Sequence, residues 1–347
     1  MLSRLKREKL TVQRCFVGLV TLLILIAGCS SNPLASAPPT IEAARPAQSP
    51  PASQHPVGTV RPLAGAATAT VFDGGTHQLA VLTPGGDPAA SASVAIFGPG
   101  QVTPRVIGLP GPAGALTRDG HGTVYLATRG GYVVLDLADG HVARVHVAEN
   151  VDFTAIARRA DGKLVLGSAD GAVYTLGSSG GAVENRTKIF ARVDWLVTQG
   201  NTTVVLDRGQ TSVTTIGADG RVAQSLRAGA GATTMAADPA GRVLVADTRG
   251  DELLVYGVDP LILRQAYPVR QAPHGLAGSR DLAWVSQTAS NTVIGYDLST
   301  GIPVEKVRYP TVQQPNSLAF DEASDTLYVV SGSGAGVQVI ERAAGTR

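Results

Sequence analysis

The stretch PAGRVLVADTRGDELLVYGVDPLIL, residues 239–263, holds two short apolar runs with no helical period. Val243-Leu244-Val245 and Leu253-Leu254-Val255-Tyr256 are brief and rich in strand formers, which suits buried strands. Between them lies the polar, glycine-bearing loop Asp247-Thr248-Arg249-Gly250-Asp251. The same order returns in GHGTVYLATRGGYVVLDLADGHV (120–142), ADGKLVLGSADGAVYTLGSSGGAV (160–183) and SRDLAWVSQTASNTVIGYDLSTGIPV (279–304). Weaker copies occupy 74–100, 199–222 and 323–345, making seven units of about 40 residues each.

Each unit holds more than two strands. Ahead of the first run lies a short segment of small apolar residues, as in TAIARR (154–159), TTMAAD (233–238), GLAGS (275–279) and SLAFD (317–321). Small side chains suit an inner strand crowded near an axis. After the second run comes a fourth segment, as in RQAYPV (264–269) and EKVRYP (305–310). Asp-Gly pairs at 119–120, 139–140, 161–162, 170–171 and 219–220 supply tight turns, because both residues tolerate positive φ. Four strands repeated seven times predict an all-β, seven-bladed β-propeller of four-stranded blades. A solenoid of similar period is the competing reading, but no leucine-rich ladder and no amphipathic helical repeat is visible. The last unit, from Asn316, runs out after three strands. GTVRPLAG (58–65) resembles the fourth segments and is expected to supply the missing outer strand, which removes an open sheet edge.

LAWVSQTASNTVIGYDLSTG (282–301) resembles the YVTN repeat, and DPAGRVLVADTRGDELLVYG (238–257) resembles NHL-type repeats. The resemblance spans about 58–343 and is strongest in the last three units. It departs early: no asparagine follows Leu126-Ala127-Thr128, and the first unit carries a longer inner loop. It implies propeller architecture and leaves activity open, since such folds host binding modules, scaffolds and enzymes.

The chain's beginning speaks of location. Arg4, Lys6, Arg7, Lys9 and Arg14 precede an apolar run from Phe16 to Ala27. That run is short for a membrane span, which needs about 20 residues, and typical of a secretory signal. Ile26-Ala27-Gly28-Cys29 resembles the bacterial lipobox. The resemblance implies cleavage before Cys29 and a diacylglyceryl group on its thiol, two chains being enough for stable anchoring. The alternative, an uncleaved anchor helix, gives the same localisation at the extracytoplasmic face of the cell membrane. The chain has only Cys15 and Cys29, so a processed form would hold no disulfide. Residues 1–28 carry five of the 29 basic and one of the 27 acidic residues. The remainder has 24 and 26, a net charge of −2 with no basic stripe, so no nucleic-acid binding is expected. Residues 29–57, the lipidated cysteine followed by a Pro/Ala/Ser-rich stretch, are expected to form a disordered tether. Its reach would be about 85 Å as polyproline and about 30 Å as a coil. The expected organisation is thus signal peptide 1–28, tether 29–57 and propeller 58–343.

No G-x-S-x-G, H-E-x-x-H or Walker sequence is present, and no catalytic residue is assigned. In an antiparallel blade the residues opening each inner strand gather at one mouth of the channel. Here they are Asp152, Asp194, His274 and Asn316, whose carboxylates, imidazole and amide offer ligands for a divalent cation or a polar molecule. A second ring of loops offers Arg129, Asp170, Asp207, Arg208, Asp247, Arg249 and Asn291. The alternative is that these groups are hydrated turn residues and strand caps. Three functions remain open. One is a non-enzymatic binding or assembly module for an envelope protein, peptide or glycan, with no cofactor beyond the lipid. Another is a metal-dependent lactonase or lyase, as gluconolactonase-like propellers imply, although the glutamate expected among such ligands is missing. The last is a small-ligand or metal carrier or sensor.

Overall fold

The computed structural model describes residues 38–87, 89–178 and 180–345; the expected signal peptide, the lipobox-like stretch and Cys29 lie outside them. Among the described residues, twenty-eight strands form seven four-stranded antiparallel sheets, the blades of a propeller. The inner strands are Ala69–Asp73, Ala115–Arg118, Phe153–Arg158, Trp195–Gln199, Ala232–Ala237, Pro273–Gly278 and Pro315–Asp321, numbered here as blades 1 to 7.

Burial explains why the apolar runs do not alternate. In blade 5 the second and third strands, Arg242–Asp247 and Glu252–Val258, are buried almost throughout, because a neighbouring blade covers each face. The outer strand, Leu261–Pro268, is mostly exposed. The apolar residues do not form one core. They form seven clusters, each drawn from two adjacent blades, so every junction around the ring has its own. At the junction of blades 6 and 7, fully buried Trp284 stacks on Phe320 at 5.7 Å and donates its indole N–H to Ser279 Oγ.

The predicted turns are present. Gly120, Gly140, Gly162, Gly171 and Gly220 all adopt φ between 78° and 86°. At Gly171 the demand is double, since a Cβ there would stand 1.8 Å from the carbonyl oxygen of Phe190.

Closure follows the expected route. Thr59–Arg61 pairs with Val337–Ile340, completing blade 7 with a strand from the other end of the chain. Leu63 packs in the cluster between blades 7 and 1, whereas Val60 points to solvent. Buried Gln338 ties the seam: its amide donates to Val57 O and Pro310 O, and its Oε1 accepts from Val312 N.

Candidate functional site

The seven inner strands surround a central channel of about 440 Å³. Its wall includes many small residues, among them Ala115, Ala155, Ala236, Gly275 and Ala319, as a crowded axis requires. Arg118 and Arg158 end their inner strands at one mouth; Asp194 and Asn316 start theirs at the other.

Of the four residues expected at that mouth, the structure brings Asp194 and Asn316 into the channel wall and leaves the other two outside it. Asp194 accepts from Arg208 N at 2.9 Å and pairs with Arg192 at 3.2 Å. Burial nonetheless raises its pKa, against the pull of Arg208 and Arg192. Asn316 Oδ1 accepts from Gln314 Nε2 at 2.9 Å. His274 sits in a β-bulge between Pro273 and Leu276, where the inner strand slips register. The bulge sets its ring against blade 5, with Nδ1 3.0 Å from Thr233 Oγ1, which also meets Thr248. Burial, with Arg208 adding repulsion, pushes the imidazole pKa down to about 3, so it is neutral at pH 7. Asp152 is exposed; it is held through its main chain, by a bridge to Arg129 and by the N–H of Ala169. Among the described residues, no three His, Cys, Asp or Glu side chains lie close enough to share a metal ion.

The second ring divides. Asp207 and Asp247 are fully buried strand caps. Asp207 accepts from the amides of Ala191, Arg192 and Gln210; Asp247 accepts from Ala230, Gly231 and Gly250. Asp247 fits only beside glycines, since a Cβ at Gly229 or Gly250 would stand 1.9 or 2.0 Å from its Oδ2. Arg129 and Asp170 are exposed, and Asp170 pairs with Lys188 at 2.7 Å. Arg249 is exposed, Arg208 half-buried and Asn291 buried, and all three have a partner that the sequence did not suggest.

That partner is the chain itself. The segment expected to belong to a free tether is instead docked from Ile41 to Pro50 across the loops of blades 4 to 7. Arg249 donates to Glu42 O at 2.8 Å, and Arg208 donates to Ala44 O. Gln314 donates to Ala47 O at 2.9 Å, and Asn291 to Pro50 O at 2.8 Å. Gln313 reaches both Ser49 O and Pro50 O. In return, Ile41 N donates to Gly209 O and Ser49 N to Gln314 Oε1. Burial holds the Arg208 guanidinium below its usual range, with Arg192 and Arg45 adding to the effect and Asp194 opposing it. Because most of these bonds use the segment's main chain, no pattern of side chains announces them.

Channel, blades and loop-borne mouth define a seven-bladed β-propeller. No protein-family model and no curated protein matches the sequence. Solved structures do resemble it in fold. A chain of the mitotic checkpoint complex crystal structure superposes with TM-score 0.70 at 11% identity, over 86% of this chain and 98% of that one. A chain of Kuenenia stuttgartiensis hydrazine synthase gives 0.67 at 13% identity, over 83% and 99%. Streptogramin B lyase gives 0.64 at 10% identity, over 83% and 97%. At such identities the likeness is one of fold alone.

Proposed function

We propose that this protein is a lipid-anchored lipoprotein of the bacterial cell envelope, with YVTN/NHL-type blades, whose propeller is a non-enzymatic binding or assembly module. The observation that carries this reading is the character of the loop face. Its loop residues Arg208, Arg249, Asn291, Gln313 and Gln314 are hydrogen-bond donors, and each engages a carbonyl oxygen of segment 41–50. A surface of spaced donors on rigid blades suits recognition of a polymer. Of the four groups offered for a cation, only Asp194 and Asn316 line the channel, while His274 is set against Thr233 and Asp152 is exposed, so the enzymatic reading draws little from this geometry.

The anchor and the site are tested separately. Metabolic labelling with a fatty acid should mark the native protein and leave Cys29→Ala unlabelled. Label on the variant, or none on the native chain, would remove the anchor. Calorimetric titration of the purified full chain with Ca²⁺, Mg²⁺ and Zn²⁺ should show no stoichiometric binding. A tight one-to-one ion would overturn the binding-module reading in favour of a metal-dependent enzyme or carrier.

A further inference from the structure

We propose that the groove across blades 4 to 7 is a peptide-binding site, filled in cis by residues 41–50. In trans it takes an extended peptide carrying a small residue and, five positions on, a serine. The inference rests on the binding-module reading and names its ligand.

The docked segment shows what the groove reads. Five carbonyl oxygens, from Glu42, Ala44, Ala47, Ser49 and Pro50, are each met by a side-chain donor of the propeller. Contacts of this kind recognise an extended backbone and ignore most side chains, as in peptide recognition by strand addition. Only two side chains of the stretch are buried, Ala44 and Ser49. Ala44 faces Gly231: a Cβ added to Gly231 would come within 2.9 Å of the Ala44 Cβ. That position therefore admits a small residue. Ser49 is read on both sides of its hydroxyl: Oγ donates to Thr288 O at 2.5 Å and accepts from Gln314 N at 3.1 Å. Ile41, Glu42, Arg45, Gln48 and Pro50 are exposed and carry no such demand.

The groove is also held by the blades themselves. Thr288, which supplies the acceptor for Ser49, is fixed by its amide and hydroxyl on Ala272 O. Gln314 N reaches Asn291 Oδ1 at 3.1 Å. Ala272, Asn291 and Gln314 all have positive φ, a strained conformation for non-glycine residues that tends to occur at ligand clamps. A site held this way need not be built by its occupant. Because the segment is tethered, its local concentration is on the order of millimolar, so it masks the groove from weaker free ligands.

The test uses the full chain and a labelled peptide of residues 40–51, TIEAARPAQSPP. Ala44→Trp with Ser49→Ala should release the cis segment while leaving every groove residue in place. Hydrogen exchange at the Ile41 and Ser49 amides reports the release, and a melting temperature lowered by no more than about a few degrees, still with a single transition, reports the intact propeller. If the pair disturbs folding, Ser49→Ala alone serves as the milder variant. The peptide should saturate the released chain and bind the native chain at least tenfold more weakly. Adding Gln314→Ala to the released chain should weaken binding a further tenfold or more, and a peptide carrying Ala44→Trp should not bind. The proposal is overturned if the peptide binds neither chain, or binds both equally and without regard to Gln314. Because the cation titration is read separately, a failed peptide with no metal removes this ligand alone, whereas a tight metal removes the underlying reading.

Discussion

A chain lacking residues 58–65 is expected to melt far below the intact protein and to aggregate on warming. Thr59, Val60 and Arg61 register with Val339, Gln338 and Val337, and their ladder bonds are worth about 1 kcal/mol each. Leu63 leaves the cluster between blades 7 and 1, at about 2 kcal/mol. Displacing Val57 also takes an acceptor from the fully buried amide of Gln338. Together the loss is several kcal/mol, a large share of the 5–15 kcal/mol that typically holds a domain together. The strand Val337–Ile340 would then present an unpaired edge, hence the aggregation. Deletion of residues 40–50 is the control. Its partners are mostly surface donors that water can satisfy again, so less than about 2 kcal/mol should be lost. Thermal melts of the two deletions separate the cases, and equal melting would show that closure carries no special weight.

Asp247→Ala is expected to lower unfolding stability by about 3–5 kcal/mol, because three amide donors lose their acceptor in a buried site. Those of Ala230 and Gly231 belong to the loop entering blade 5, and that of Gly250 to its second hairpin, so one carboxylate fastens two turns. Asp247→Asn should recover part of the loss. Its amide oxygen can still receive Gly231 and Gly250 in place of Oδ1, whereas its NH₂ would meet the N–H of Ala230 donor to donor. Asp170→Ala should cost less than about 1 kcal/mol, since Asp170 is 48% exposed and its lysine pair is screened by solvent. Urea denaturation of the three variants measures this order. A neutral Asp247→Ala would mean that its bonds are replaced by water and that the cap is dispensable.

The fold was legible because its signals are local and repeat. A run such as Val243-Leu244-Val245 lacks alternation because blades cover both faces, and an Asp-Gly pair needs only its own φ. The outer strand at 59–61 could be found by arithmetic, as the last unit was one strand short. The mouth was legible only in part. Asp152, Asp194, His274 and Asn316 occupy similar places in their repeats, but side-chain direction depends on register. The bulge at blade 6 sets His274 against Thr233, and Asp152 remains exposed before its inner strand begins. Asp247 did carry a signal, namely the glycine three residues later that its carboxylate requires. The docked segment carried almost none. Its contacts are mainly to backbone, and a Pro/Ala-rich composition reads as a spacer whether or not its carbonyls are bound.

The seven separate junction clusters change how this molecule comes apart. A linear array of repeats has two end units, each with a single neighbour, and such ends fray first. Here every blade has two neighbours, and the short strand Thr59–Arg61 turns what would be an open row into a ring. With no terminal unit to release, partial opening must break two junctions at once. Unfolding is thereby pushed toward a single concerted event, and a three-residue strand governs the cooperativity of the whole domain.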